Sequence, residues 1–195
     1  MLIMVNEIIR FINSHIPLSE NETDIIKELY QIRTYKKGTV LLSEGAFAKE
    51  CYFILKGCVR SYYIVDGDEK TTEFYTEKQE IVPISYITKQ PSEYYLSCLE
   101  DCSISPSANN NEMLVEKIPR IKSLITKLNT EMMVQNQISF DNFKKYNPEM
   151  RYLKLMETRP DLFNRVPQYH LATYLGITPV SLSRLRKRIS AKPTK

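Results

Sequence analysis

The segment 168–189, QYHLATYLGITPVSLSRLRKRI, is the part of the chain that most restricts what the chain can fold into. It predicts two helices joined by a tight turn. Gly176 follows the first apolar run, at a point where a chain leaving a helix often needs a positive φ angle. Thr178 and Pro179 then predict a helix start, because a hydroxyl can cap the first turn and proline suits the first helical position.

One apolar face runs across both predicted helices, and it consists of Leu171, Leu175, Ile177, Leu182, Leu185 and Ile189. Ala172 is small where two crossing helices need a close approach. The spacing of Ala172, Gly176 and Leu182 is typical of a DNA-binding helix-turn-helix. An ordinary helical hairpin with a solvated basic face is the alternative that this spacing leaves open.

The outer face of the second predicted helix is polar and basic, which suits a helix that enters the major groove. We expect Arg184 to read a base, whereas Arg186, Lys187 and Arg188 would hold phosphates. The full set of predicted DNA-binding residues is Thr178, Val180, Ser181, Ser183, Arg184, Lys187 and Arg188.

Charge is unevenly distributed along the 195 residues. From residue 165 to the end there are seven Lys or Arg and no Asp or Glu, whereas the preceding part carries twenty basic and twenty-three acidic residues. A cationic end on a mildly acidic body indicates nucleic-acid binding. A cationic tail on a membrane-surface protein is the competing interpretation, which the apolar inner face of the basic helix disfavours.

Residues from about 32 to 105 have the texture of a β-structure, since short apolar or β-branched runs alternate with glycine and charged turns. Strands are predicted near 33–36, 39–43, 51–56, 58–65, 70–76, 81–84, 94–99 and 102–105. Many short strands with regular turns predict a sandwich or a jelly-roll barrel.

Helices are predicted on both sides of this β-region. Residues 3–14 have amphipathic helical spacing, and Ser19 with Glu22 forms a capping box that opens a second helix. A long helix is predicted from Pro119 to about residue 145. The apolar stripe of this helix follows a heptad-like spacing that favours pairing with an identical helix. The stripe could instead, or also, cover the chain's own barrel. It consists of Ile121, Ile125, Leu128 and Met132.

Several function classes are disfavoured by residues that the sequence lacks. The four cysteines form no C-x2-C pair and the chain has only two histidines, so no metal site and no cofactor is expected. No nucleophile–base pair or Gly-rich phosphate loop stands out, so no catalytic residue is predicted and the chain is not expected to be an enzyme. The first residues lack a signal-peptide layout, which makes the cytoplasm the expected location.

A β-roll, a long helix and a helix-turn-helix, in this order, resemble the Crp/Fnr superfamily of bacterial transcription regulators, which are similar to the cyclic-AMP receptor protein. The resemblance is carried by CYFILKGCVR at 51–60, LSCLEDC at 96–102 and LATYLGITPVSLSR at 171–184. It implies an α+β fold with a cyclic-nucleotide-binding-type β-roll (jelly roll) and flanking helices at 1–117. A long dimerisation helix at 118–145 and a helix-turn-helix DNA-binding domain at 146–195 would follow.

The same resemblance implies a cytoplasmic homodimer that binds a partly palindromic operator in double-stranded DNA. RNA polymerase and an unidentified small-molecule effector are further candidate partners, and no membrane is expected. A regulatory or protein-interaction module that has this fold but does not bind DNA is the alternative.

The expected effector pocket departs from the family pattern. Pro83 and Ile84 stand where the family has a Gly-Glu pair for the ribose, and Ser92 and Glu93 stand where it has Arg-Ser or Arg-Thr for the cyclic phosphate. A buried phosphate needs a cation and backbone donors, so cyclic AMP is not expected to bind in the usual way. The predicted pocket residues are Ile84, Ser85, Ser92, Glu93 and Tyr94.

Overall fold

The N-terminal helices begin at local sequence signals. The computed structural model describes residues 2–107 and 110–191, and it opens with α1 (Leu2–Asn13) and α2 (Glu20–Leu29). The Ser19 hydroxyl accepts the Glu22 N–H at 3.3 Å, and the Glu22 carboxylate accepts the Ser19 N–H at 2.8 Å. These two bonds confirm the predicted capping box.

Eight strands follow in the described residues: β1 (Arg33–Tyr35), β2 (Val40–Leu42), β3 (Cys51–Lys56), β4 (Val59–Val65), β5 (Asp68–Tyr75), β6 (Glu80–Ile81), β7 (Tyr95–Cys98) and β8 (Cys102–Ser107). They form two four-stranded antiparallel sheets, with strand orders β1-β8-β3-β6 and β2-β7-β4-β5. The predicted β-roll is thereby confirmed. Its core includes Ile54, Val59, Leu96 and Ile104, which are fully buried.

The expected strand at 81–84 is wrong beyond Ile81. Pro83 cannot donate to a strand ladder and instead precedes a short helix, α3 (Ile84–Thr88). Lys89 ends this helix with a φ angle of +57°. The effector-pocket candidates Ile84 and Ser85 therefore lie on a helix.

The remaining elements are helical: α4 (Asn110–Lys117), a 3₁₀ turn at Pro119–Ile121, α5 (Lys122–Lys145), α6 (Pro148–Thr158), α7 (Leu162–Arg165), α8 (Gln168–Tyr174) and α9 (Pro179–Ser190). The long α-helix thus begins three residues later than the expected start at Pro119, because the proline opens a 3₁₀ turn. Asn147 caps α6 by accepting the Met150 N–H at 3.0 Å.

The first half of α5 packs with the N-terminal helices and α4 against one side of the roll. Their buried apolar cluster includes Ile8, Ile26, Leu55, Leu114 and Leu124. In the described part of the chain, no helix combines the length and apolar character needed to span a membrane. The second half of α5 runs away from this cluster and leads to the C-terminal helices.

Candidate functional site

The turn between α8 and α9 has the geometry that its sequence predicts. Gly176 adopts a φ angle of +70°, and the Ile177 N–H donates to the Ala172 carbonyl at 3.0 Å. Ala172 is fully buried between the helices. A Cβ atom at Gly176 would lie 3.2 Å from the Phe143 ring of α5, so the turn also lies close to the long helix.

The start of α9 is fixed by its cap, and its inner face is fixed by packing. The Thr178 hydroxyl accepts the Ser181 N–H at 3.2 Å, and Pro179 is the first helical residue. Leu182 and Leu185 are buried in the apolar cluster that α9 shares with α6, α7 and α8. This packing fixes which side of α9 points outward.

The residues predicted to contact DNA lie on α9 and at its N-cap. Each of them is exposed to solvent: Thr178, Val180, Ser181, Ser183, Arg184, Lys187 and Arg188. Arg188 forms an ion pair with Glu149 of α6 at 2.6 Å. Arg186, which was also expected to hold a phosphate, is half-buried.

Four of the five predicted effector-pocket residues meet in one corner of the roll, around α3 and the 46–48 loop. The hydroxyl of Ser85 accepts the Ala48 N–H at 3.1 Å, and the N–H of Ser92 donates to the Ala46 carbonyl at 2.8 Å. Ser85 and Ser92 are buried, whereas Ile84 is exposed. Glu93 is also exposed and is the fifth candidate.

Tyr94 fills much of this corner. Its buried hydroxyl accepts the Ile84 N–H at 3.1 Å, so it satisfies a free backbone donor at the N-terminus of α3. The Ser92 hydroxyl donates to the Tyr94 carbonyl at 2.8 Å. Burial raises the pKa of the Tyr94 hydroxyl. The polar groups of the corner therefore bind one another.

The apolar stripe of α5 that was predicted to pair with a second helix is buried at its start and exposed further along the helix. Ile121 is buried in the 3₁₀ turn, and Ile125 and Leu128 pack against the N-terminal cluster of the same chain. Met132 is 38% exposed, and Met133 and Phe140 beyond it are 74% and 56% exposed. The first three residues therefore cover the chain's own roll, as the alternative interpretation held.

Helix α8 packs on the outer side of β5 through a contact that no local sequence pattern indicates. The Thr173 hydroxyl donates to the Thr71 hydroxyl at 3.0 Å, and the rings of Tyr174 and Phe74 have centroids 5.1 Å apart. The C-terminal helices and the roll consequently share one apolar cluster, to which the roll contributes Cys58, Phe74 and Leu99.

A buried polar group lies at the centre of this contact. The Arg60 guanidinium of β4 contacts Nδ1 of His170 and forms an ion pair with Glu69 at 2.7 Å. Burial and the Arg60 charge lower the pKa of His170 to about 4, although Glu69 acts in the opposite direction. His170 is therefore neutral near pH 7. The sequence contains one indication of this buried polar group, since Arg60 is an arginine within a largely apolar strand.

Arg165 of α7 makes a second polar contact with the roll. It donates to both carboxylate oxygens of Glu77 at 2.8 Å and to Glu100, with its Nε 3.0 Å from that carboxylate. Burial raises the pKa of Glu77, but hydrogen bonds from Arg165 and from the Gly57 N–H outweigh it and lower the pKa to about 2. Two loops of the roll are thereby tied to α7.

Across the described ranges, no three His, Cys, Asp or Glu side chains gather in a way that could hold a metal ion. The groups that the structure brings together are an exposed basic helix, a corner of the roll whose polar groups bind one another, and polar contacts between the roll and the C-terminal helices.

Comparisons with known proteins agree with this architecture. Residues 32–105 match the family of the cyclic nucleotide-binding domain. No curated protein sequence matches the chain.

Several solved structures are similar over most of the chain. A c-di-GMP-responsive global regulator, CLP from Xanthomonas campestris, is 16% identical with a TM-score of 0.64, and the match covers 89% of this chain and 92% of that one. A CooA mutant from Carboxydothermus hydrogenoformans is 14% identical with a TM-score of 0.66, covering 92% and 82%. FixK2 from Bradyrhizobium japonicum is 14% identical with a TM-score of 0.64, covering 83% and 84%.

The family match covers the roll, and the structural matches extend over the long helix and the C-terminal helices. Residues 32–105 are therefore similar to the cyclic nucleotide-binding domain, and the chain has the fold of the Crp/Fnr superfamily.

Proposed function

We propose that this protein is a transcription regulator that binds a partly palindromic DNA operator as a homodimer. The observation that carries the proposal is the outer side of α9. Its predicted DNA-binding residues are all exposed, while its inner residues Leu182 and Leu185 are buried. An exposed face of short hydroxyl side chains and long cations fits the edges and phosphates of a major groove.

Dimer formation would use the exposed part of α5. At 3.6 residues per turn, Ile125, Met132, Met133 and Phe140 lie within about 100° of one another around the helix. The first of them packs on the chain's own roll, and the other three are exposed on the same side. Pairing of two such helices would bury this apolar surface and place two copies of α9 about 34 Å apart on one face of the DNA.

We propose that the nucleotide pocket has lost its usual ligand. The hydroxyl of Tyr94 accepts a backbone N–H that could otherwise face a phosphate, and Ser85 and Ser92 bind the 46–48 loop. The exposed carboxylate of Glu93 stands where the family has a phosphate-binding residue and would repel an anion. A regulator with this pocket would act without cyclic AMP, or with another effector.

Selection of binding sites from random duplex DNA, at two salt concentrations and without added ligand, tests the proposal. The expected result is an enriched inverted repeat whose affinity falls as salt rises, because bound cations release counterions from the DNA. Added cyclic AMP should change neither the selected sequence nor the affinity.

The second candidate function is a protein-docking module of the same fold. The Arg188–Glu149 ion pair favours it in part, since one of the cations assigned to DNA already has a partner within the protein. A selection that enriches no sequence, both with and without cell extract, would support this alternative and contradict the regulator.

A further inference from the structure

Val180 is an apolar side chain on the exposed face of α9. It is the second residue of this helix and is 60% exposed, whereas Leu182 and Leu185 are buried and Ile189 is half-buried. The exposed residues that follow it on the helix are polar or cationic. Val180 therefore presents methyl groups on a surface that otherwise carries hydroxyl, guanidinium and ammonium groups.

Val180 shares one side of α9 with three of the residues predicted to contact DNA. At 3.6 residues per turn, Val180, Ser183, Arg184 and Lys187 lie within about 100° of one another around the helix. All four are exposed. The recognition helix of a helix-turn-helix contacts base edges with its N-terminal residues. A helix that places this side in the groove would bring Val180 to the bases together with Arg184.

The first turn of α9 holds Val180 in a fixed orientation. The Thr178 hydroxyl accepts the Ser181 N–H at 3.2 Å, and the Leu182 N–H donates to the Thr178 carbonyl at 3.0 Å. Pro179, directly before Val180, has its φ angle fixed by its ring. A valine in a helix also has one strongly preferred χ1 rotamer. A contact through Val180 would therefore immobilise little that moves in the free protein.

The major groove offers one methyl group to such a side chain, the 5-methyl group of thymine, among hydrogen-bond donors and acceptors on the base edges. A valine against a donor or an acceptor would remove that group from water without offering a bond in return. Against a thymine methyl group, two apolar surfaces leave water together. An exposed valine on this side of α9 therefore favours thymine over the other three bases.

Helix geometry limits where this thymine lies. From Val180 to Arg184 the helix rises about 6 Å, and successive base pairs are about 3.4 Å apart along the duplex. Two side chains with this separation on one side of a helix reach bases within about two base pairs of each other.

We propose that Val180 packs against the 5-methyl group of a thymine in each operator half-site, within about two base pairs of the base that Arg184 contacts. This inference rests on the proposed function and deepens it, because it names one base of the operator and the chemical group by which that base is recognised.

Deoxyuridine substitution in the operator selected from random duplex DNA tests the contact. Deoxyuridine keeps the hydrogen-bonding edges of thymine and lacks only its 5-methyl group. With the full chain, we expect one substitution to weaken binding about fourfold in one half-site and about fifteenfold in both, as for one and two buried methyl groups. The sensitive thymine should lie within about two base pairs of the position whose preference is relaxed in Arg184→Ala.

A variant separates contact through the valine from any effect of deoxyuridine on DNA shape. Val180→Ala lacks both γ-methyl groups and should bind the thymine and deoxyuridine operators with equal affinity. The exposure of Val180 means that this change should preserve the fold. Val65→Ala is the matched control, since Val65 is an exposed valine on β4, and it should keep the full preference for thymine. An undiminished preference in Val180→Ala would overturn the proposal.

The selection and the substitution together distinguish this inference from the proposed function. A selection that enriches no sequence would overturn both. An enriched inverted repeat that binds equally well with deoxyuridine at every thymine, or whose half-sites contain no thymine near the base read by Arg184, would overturn only the contact of Val180. The regulator would then recognise its operator through other residues of α9.

Discussion

The Arg60 guanidinium on β4 donates to Nδ1 of His170 on α8, which places an arginine and a neutral histidine in direct buried contact between the roll and the C-terminal helices. Because arginine has no acceptor atom, His170 must accept, and its proton must be on Nε2. Glu69 neutralises the arginine from the other side at 2.7 Å. A second proton on His170 would place two cations against each other in a buried interface.

We therefore expect the folded protein to lose stability as the pH falls through the normal pKa of histidine. The pKa of His170 is about 4 in the folded chain and about 6.5 when unfolded, so the unfolded state binds the proton first. The folded protein has its full stability above about pH 7.5 and loses stability toward pH 4, with a loss of about 1.4 kcal/mol at about pH 5.5. Urea unfolding at several pH values measures it.

Two variants isolate this histidine from other titrating groups. His170→Asn should remove the decline between about pH 7.5 and about pH 5.5, whereas His15→Asn, which changes the exposed histidine at the end of α1, should preserve it. Glu73 acts in the opposite sense, because burial raises the pKa of its carboxyl. A decline that is identical in His170→Asn would contradict the role of His170.

Replacement of Arg165 should destabilise the chain more than loss of an exposed ion pair. In Arg165→Met, the carboxylates of Glu77 and Glu100 lose their shared partner, and we expect a loss of about 2 kcal/mol in the free energy of unfolding. Lys36→Met is a matched control, since Lys36 binds Asp101 at 2.8 Å with both side chains largely exposed. Its cost should stay below about 1 kcal/mol. Equal costs in urea unfolding would contradict the role of Arg165.

Local features of the fold were predictable because they depend on neighbours in sequence. The Ser19–Glu22 capping box and the Thr178 cap each join residues three positions apart, and both occur as expected. The β3 strand ends at Lys56 as expected because Gly57 needs a positive φ angle directly after it. The outward side of α9 follows in the same way from helical periodicity.

Contacts between distant parts of the chain were not predictable from such patterns. Arg60 and His170 are 110 residues apart, and no local signal pairs them. The spacing of Ile121, Ile125 and Leu128 is the same whether the stripe faces a second helix or the chain's own roll. Only the placement of α1 and β3 decides that these residues pack intramolecularly.

The corner around α3 was visible in the sequence by its composition but not by its conformation. Departure from the family pattern at Pro83–Ile84 and Ser92–Glu93 was visible in the sequence. The helix at Ile84–Thr88 was not, since a run of five residues carries little periodicity. The role of Tyr94 depends on this helix, because its hydroxyl accepts the first helical N–H.

Gly57→Ala should be more damaging than Gly67→Ala, although both glycines have positive φ angles of +108° and +82°. At Gly67 a Cβ atom meets nothing within 4 Å, so only backbone strain of about 1 kcal/mol is expected. At Gly57 the Cβ would lie 2.5 Å from Cys102 Sγ. Overpacking should therefore raise the total loss in the free energy of unfolding above about 3 kcal/mol. Similar losses in urea unfolding would contradict the close packing of Cys102.

Charged residues on the exposed stripe of α5 should prevent dimer formation. In Met133→Glu with Phe140→Glu, two carboxylates replace two apolar groups on each partner helix, and we expect a monomer in sedimentation equilibrium. Ile138→Glu is the control, since Ile138 is 44% exposed but lies on the opposite side of the helix. A dimer that survives the double change would place the dimer contact elsewhere.

Arg184→Ala and Lys187→Ala should weaken DNA binding in different ways. If Arg184 reads a base, its loss should cost about 1–3 kcal/mol and relax the sequence preference at one position of each half-site. If Lys187 holds a phosphate, its loss should weaken all sequences equally and reduce the slope of log affinity against log salt by about 1. Fluorescence anisotropy with the selected operator and its single-base variants measures both effects.

A matched control for these variants is Lys154→Ala, which removes an exposed cation on α6 whose partner is Glu157, in the adjacent turn of the same helix. It should leave both affinity and salt slope unchanged. If all three variants weaken binding to the same degree and with the same salt slope, the basic end attracts DNA by charge alone. The face of α9 would then carry no sequence recognition, and the inverted-repeat operator would lose its structural basis.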